Sequence, residues 1–160
     1  MVTPVYALVG EDAFLQTQRL QEIAAQLPKD AQRIDVDGER AELADVLDEL
    51  RSFAMFGGGK VVVVGNGDEF ISRFREQLEN YCEHPSNSAT LVLRCEAMQK
   101  NHRIYKIIQK NGKVEECEPP NARELPGWIV QRARSAHGLA VTGDAAAMLA
   151  ELIGNDLGRL

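Results

Sequence analysis

The chain alternates between short apolar runs and longer segments in which apolar side chains recur every three or four residues. A short apolar run bounded by turn residues is typical of a buried strand, whereas the wider spacing is typical of a helix with one buried face. Four amphipathic helices are predicted between the runs. The runs themselves predict five strands: Val5–Val9, Gln32–Val36, Lys60–Val64, Ala89–Cys95 and Val114–Cys117.

Strands that alternate with helices favour an open parallel sheet, because each pair of parallel strands needs a crossover connection, which is usually a helix. The run Lys60–Val64 contains four consecutive valines, which suit a central strand buried on both faces. The predicted fold class is therefore α/β, with a five-stranded parallel sheet and helices on both of its faces.

The sequence changes character towards its end. Helices are predicted over Glu124–Ala136 and over the alanine- and leucine-rich stretch Asp144–Ile153, and Gly154-Asn155-Asp156 look like the start of another. We therefore expect a sheet domain at residues 1–137 and the beginning of a helical domain at 138–160, which would make this chain a fragment of a longer protein.

Composition and charge narrow the classes of function. The 160 residues are 44% hydrophobic and 26% charged, which is ordinary for a globular protein. No apolar run approaches the roughly 20 residues of a membrane span, and the first residues lack the features of a secretory signal. We expect a cytoplasmic protein with no membrane partner. A net charge of -6 argues against a free-standing nucleic-acid binder, because neutralisation of phosphate supplies most of that affinity.

The residues that usually carry metal or catalytic chemistry are scattered. The three cysteines form no C-x-x-C pair and the three histidines stand singly, which predicts reduced thiols and no metal site. No serine, cysteine or histidine grouping has the support of a catalytic triad, although such groups can converge from distant positions. We therefore expect no catalytic residues.

A nucleotide phosphate loop would follow the first strand of such a sheet. The turn there contains Glu11 and Asp12, whose carboxylates would repel a polyphosphate. The run Gly57-Gly58-Gly59-Lys60 offers glycines and a lysine, but Val61 follows instead of serine or threonine, and the segment leads into a strand. The glycines more simply serve turn geometry. We expect no bound nucleotide and no other cofactor.

Three large apolar side chains, Phe53, Met55 and Phe56, stand directly before this glycine run. A glycine triplet is a poor place to build a regular element that would bury them. Two interpretations remain open from the residues alone. The side chains fold back into the core, which is the commoner fate of such residues, or they are held out for a partner.

Several segments together resemble the delta subunit of bacterial DNA polymerase III, a component of the clamp loader. The resemblance spans the whole chain, and it is carried by the order and spacing of the segments. They are V-Y-A-L-V-G-E-D-A-F-L at Val5–Leu15, S-F-A-M-F-G-G-G-K-V-V-V-V at Ser52–Val64, H-P-S-N-S-A-T-L-V-L at His84–Leu93, E-L-P-G-W-I at Glu124–Ile129 and G-N-D-L-G-R-L at Gly154–Leu160.

The resemblance implies an AAA+-type fold with a RecA-like sheet domain, a small helical lid and a collar domain for assembly. Only the sheet domain would be complete here, with five parallel strands and the first strand central, and residues 138–160 would begin the lid. The resemblance further implies a non-catalytic subunit of the polymerase holoenzyme, which lacks a functional phosphate loop and opens the sliding clamp.

In this family an apolar tip after the second helix inserts into a hydrophobic pocket on the sliding clamp, the beta subunit. The usual pattern is S-L-F with an apolar residue just before it, so the resemblance assigns clamp binding to Phe53, Met55 and Phe56. Met55 in place of leucine conserves volume, whereas Ala54 departs from the serine. Other implied partners are the remaining clamp-loader subunits, with DNA met only within the complex. The alternative is a nucleotide-dependent, P-loop-like enzyme with a diverged phosphate site.

Overall fold

The computed structural model describes residues 2–55 and 57–160, which form two compact units, one ending at Cys117 and the other running from Glu118 to Leu160. In the described residues the first unit contains a five-stranded parallel sheet, as the sequence pattern predicts. Its strands are β1 (Val5–Val9), β2 (Gln32–Asp37), β3 (Lys60–Gly65), β4 (Thr90–Cys95) and β5 (Lys113–Glu116).

The order of strands across the sheet is β2-β3-β4-β1-β5. The resemblance implied that the first strand is central. β1 is an interior strand, hydrogen-bonded in parallel to β4 on one side and to β5 on the other, but the middle position belongs to β4. The sheet extends by three strands beyond one side of β1 and by only one beyond the other.

Helices cover both faces of the sheet, as predicted. The first unit contains α1 (Ala13–Ala25), α2 (Leu43–Arg51), α3 (Gly67–Glu83) and α4 (Arg103–Asn111). On one face, Leu20 and Ile23 of α1 join a buried cluster with side chains of the sheet. On the other face, α2, α3 and α4 contribute Leu50, Phe70 and Ile108 to a second and larger buried cluster.

Strand β3 is buried on both faces, which confirms the prediction made from its valines. It pairs in parallel with β2 and β4. Successive side chains of a strand point to opposite faces. Accordingly, Val61 and Val63 belong to the cluster under α1, whereas Val62 and Val64 belong to the cluster under the other helices. This strand is therefore held by hydrogen bonds on both edges and by packing on both faces.

The second unit contains α5 (Leu125–His137) and α6 (Gly143–Ile153), which pack against each other. The sequence placed the domain boundary after residue 137, which would leave α5 with the sheet. The compact units of the structure divide after Cys117, at a stretch, residues 118–121, that forms neither helix nor strand and contains Pro119 and Pro120. The further helix predicted to begin at residues 154–156 is a series of turns in the structure. The assignment of this unit to a lid stays a prediction.

Across residues 2–55 and 57–160, no helix combines the length and the hydropathy that a membrane-spanning segment requires.

Candidate functional site

The segment between α2 and β3, residues 53–59, is here called the apolar tip. Phe53 and Met55 are each 85% exposed, although Leu50, three residues before Phe53, is completely buried. Core packing, one of the two interpretations left open by the sequence, therefore does not hold for Phe53 and Met55. Phe56, the third predicted site residue, lies outside the described residues.

The glycines of the apolar tip serve turn geometry, as predicted. Gly57 and Gly59 have φ angles of +76° and +86°, a region that residues with a side chain rarely adopt. The amide of Gly57 donates a hydrogen bond to the carbonyl of Ala54 (3.2 Å), which closes a turn. Gly58 lies close to the Asp30 carboxylate, since a Cβ atom there would be 2.4 Å from it and would require the Asp30 side chain to move.

The end of the tip that enters β3 is fixed to the sheet. The amide of Gln32, the first residue of β2, donates to the carbonyl of Gly59 (3.0 Å). Together with the close approach of Gly58 to Asp30, this bond ties the second half of the tip to the segment that leads into β2. The position of Gly59 relative to β2 is therefore fixed where the tip joins the sheet.

The end of the tip that follows α2 is also held, through the side chain of Lys60, the first residue of β3. Its side chain is only 4% exposed, and its Nζ donates to the Glu49 carboxylate (2.8 Å), the Glu49 carbonyl (3.2 Å) and the Ser52 Oγ (2.6 Å). Ser52 ends α2, since its amide still donates to the Asp48 carbonyl (2.9 Å). A cation at this position also complements the negative end of the helix dipole.

Sequence reasoning missed this role of Lys60. In the sequence, this lysine is both the last residue of a glycine-lysine run that does not fit a phosphate loop and the first residue of a predicted strand, and neither pattern indicates its hydrogen-bond partners. The sequence did contain a signal, since Lys60 directly precedes four valines that are predicted to be buried on both faces. A lysine at the start of such a strand needs polar partners if it is buried.

A second candidate site lies at the carboxyl edge of the sheet, where an α/β fold usually binds its ligand. A cleft of about 530 Å³ opens there, lined by Gly10, Arg94 and several carboxylates, including Glu11, Asp68 and Glu69. The Asp68 carboxylate accepts hydrogen bonds from the amides of Glu96 (2.8 Å) and Ala97 (3.3 Å). The lining is thus predominantly acidic, which is unfavourable for a polyphosphate.

The turn between β1 and α1 is occupied by the side chain of Gln16. This side chain is 7% exposed, and its Nε2 donates to the carbonyls of Gly10 (2.7 Å) and Cys95 (2.9 Å), while its Oε1 accepts from Arg94 Nε (3.0 Å). Asp12 caps α1 by accepting from the amide of Leu15 (2.9 Å). Gln16 therefore fills the turn with its own side chain, and Asp12 engages the amide of Leu15, one of the backbone donors that a phosphate would need at the start of α1.

Gln16 was also missed from the sequence, although its spacing carried a signal. It stands four residues before Leu20 and seven before Ile23, on the helix face that these residues bury. A polar residue on a buried face needs hydrogen-bond partners, and the neighbouring strand ends supply them.

The predicted reduced thiols are found as free, buried cysteines at positions 82, 95 and 117. Burial raises the pKa of the Cys82 thiol to about 12, so it stays protonated and unreactive near neutral pH. Burial raises the pKa of Cys95 and of Cys117 as well. Among residues 2–55 and 57–160, no group of three or more histidine, cysteine or acidic side chains is placed to hold a metal ion.

The model of the family described as "DNA polymerase III, delta subunit" matches residues 6–118, well over half of the chain. No curated protein sequence gave a match.

Solved structures share the fold. The DNA clamp loader delta protein of Bacillus subtilis is similar with a TM-score of 0.81 and 22% identity, over 98% of this chain and 50% of that protein. The RuvB Holliday junction branch migration motor of Thermotoga maritima is similar with a TM-score of 0.55 and 19% identity, over 93% of this chain and 49% of that protein. The chain thus spans about half the length of both.

The exposure of the apolar tip predicts that the tip contributes little to stability. Replacing Phe53 and Met55 together by alanine should change the free energy of unfolding by no more than about 0.5 kcal/mol for each residue, because neither side chain is buried. Leu50→Ala, a few residues away and fully buried, should cost about 2–5 kcal/mol. Urea denaturation of the three proteins makes the comparison. A loss for the double variant as large as that of Leu50→Ala would show that the tip packs into the core.

Proposed function

Since the chain belongs to the DNA polymerase III delta subunit family, we propose that it binds the sliding clamp through the apolar tip and opens the clamp ring for loading onto DNA. The observation that carries this proposal is the exposure of Phe53 and Met55, each 85%, on a segment held at both ends. Phe56 completes the proposed clamp-binding set, as the resemblance to the family implies.

The chemistry of the tip suits a pocket on another protein. Burial of a large apolar side chain contributes about 1.5–3 kcal/mol, and aromatic and methionine side chains are enriched at protein interfaces. The phenylalanine supplies a rigid anchor, whereas the thioether of Met55 adapts its shape to a pocket. A hydrophobic pocket on the clamp, the beta subunit, would satisfy both side chains.

Ring opening follows if the tip binds one state of the clamp better than another. A ligand shifts an equilibrium only by its difference in affinity for the two states. The tip would therefore bind the opened or strained clamp interface more tightly than the closed one. Contact of equal strength with both states would leave the ring closed.

The chain would act as a non-catalytic subunit of a holoenzyme that as a whole is a DNA polymerase. Its partners besides the clamp would be the other clamp-loader subunits. DNA would be met only within that complex, as the net charge of -6 suggests. The cytoplasmic location expected from the sequence stays a prediction.

Clamp affinity should depend on the apolar side chains of the tip. Replacing Met55 and Phe56 together by alanine should weaken binding to the cognate clamp at least a hundredfold, because each hot-spot side chain contributes about 2 kcal/mol or more. A titration of the clamp with each protein measures the change. The matched control replaces Leu139 and Met148, which are exposed apolar residues of the second unit, by alanine.

The control should bind as the wild type does, because its substitutions leave the tip unchanged. Wild-type affinity in the Met55 and Phe56 variant would contradict the assignment of the tip. Equal losses in both double variants would indicate binding to apolar surface without specificity.

The alternative function, a nucleotide-dependent enzyme with a diverged phosphate site, is favoured only by the position of the cleft at the carboxyl edge of the sheet. We expect no saturable binding when the chain is titrated calorimetrically with ATP and magnesium up to millimolar concentrations. The physical reason is that Gln16 and Asp12 engage the turn and that carboxylates line the cleft. A saturable isotherm with a dissociation constant below about 1 mM (near -4 kcal/mol) would restore the alternative.

A further inference from the structure

The ammonium of Lys60 joins the two ends of the apolar tip. Lys60 follows the tip in the chain, and Ser52, whose hydroxyl it contacts at 2.6 Å, precedes it. We propose that Lys60 is a positioning residue, which holds the tip in the direction in which it meets the clamp. This inference rests on the proposed clamp-binding function.

The burial of Lys60 requires its partners to stay in place. An ammonium group has three donors, and burying it without partners carries a large free-energy cost. The three bonds described above go to Glu49 and Ser52, in the last turn of α2 and at the residue that ends it. Movement of the end of α2 away from β3 would therefore leave a buried charge without its hydrogen bonds. This cost opposes reorientation of the tip.

The arrangement separates a rigid support from an exposed contact surface. Lys60 belongs to a strand that is paired on both edges and buried on both faces, so its backbone is fixed. The hydrogen bond from its side chain to the Ser52 hydroxyl therefore holds Ser52, the residue directly before Phe53, at a fixed distance from this strand. Lys60 itself is too buried to contact a partner, since only 4% of its side chain is exposed.

A positioning role makes a kinetic prediction that a contact role does not. If the tip points correctly in only a fraction of the molecules, the apparent affinity falls by that fraction. The loss of affinity appears as a lower association rate constant, because few molecules have the tip in the binding direction when they meet the clamp. The dissociation rate hardly changes, because the clamp pocket itself holds the tip in the complex. Removal of a contact, by comparison, raises mainly the dissociation rate.

The test measures both rate constants for clamp binding by surface plasmon resonance. Lys60→Met keeps the length and apolar stem of the side chain but removes the charge and the donors. If the competent fraction falls to one tenth, association should slow about tenfold with dissociation changed less than about twofold. Phe53→Ala together with Met55→Ala should show the opposite pattern, with faster dissociation.

A milder pair of variants covers the case in which Lys60→Met fails to fold. Ser52 is exposed and has the extended φ and ψ angles (-78°, 145°) that threonine also adopts. Ser52→Ala removes the hydroxyl that Lys60 contacts and should slow association, whereas Ser52→Thr keeps a hydroxyl and should preserve it. Equal association rates for these two variants would overturn the inference.

The variant Val63→Ala distinguishes an effect on global stability from an effect on the direction of the tip. Val63 lies on the same strand as Lys60, but its side chain packs beneath α1. This variant should lower the melting temperature without slowing association. Amide hydrogen exchange gives a measurement without the clamp, since Lys60→Met should accelerate exchange over residues 52–58 relative to the sheet, and Val63→Ala should not.

Each outcome has a distinct meaning. Unchanged exchange at the tip in Lys60→Met, or equal slowing of association by Val63→Ala, overturns the positioning role while the proposed function stands. Faster dissociation of Lys60→Met with unchanged association also overturns it. Failure of the wild-type chain to bind the clamp at all contradicts the proposed function and, with it, this inference.

Discussion

A buried ammonium group links the end of one helix to the start of a strand that is paired on both edges and buried on both faces. Lys60 can be buried because Glu49 and Ser52 satisfy its donors, and these partners are in place only when α2 ends beside β3. The segment between the two elements must then leave the fold and return within a few residues, so its side chains have little room to reach the core. The exposure of Phe53 and Met55 follows from this geometry.

The rest of the first unit provides the support for that link. The valines of β3 pack on both faces of the sheet, and the helices on either side close the two buried clusters. The carboxyl edge of the same sheet, where related folds hold a ligand, is engaged by Gln16, Arg94 and Asp12. The opposite edge, where β3 begins, carries the tip. The proposed function therefore uses the sheet as a rigid support for a protein contact.

The periodicity of apolar residues was sufficient to predict the strands and helices, because burial on one face or on two leaves different patterns. It could not decide the fate of Phe53 and Met55, since exposure depends on how the flanking elements meet. Lys60 and Gln16 were missed for a related reason: their partners are backbone and side-chain atoms brought together only by the fold. Helical periodicity in α5 likewise does not reveal which compact unit the helix joins, and the structure groups it with the unit from Glu118 to Leu160.

Opening of the clamp by the apolar tip, as proposed, can be measured as release of the clamp from DNA. A fluorescent clamp is first loaded onto closed circular DNA, and its loss is followed after addition of this chain. We expect faster release with the wild-type chain and none beyond the spontaneous rate with the variant in which Phe53 and Met55 are replaced by alanine. Equal retention of the clamp with and without the wild-type chain would contradict it.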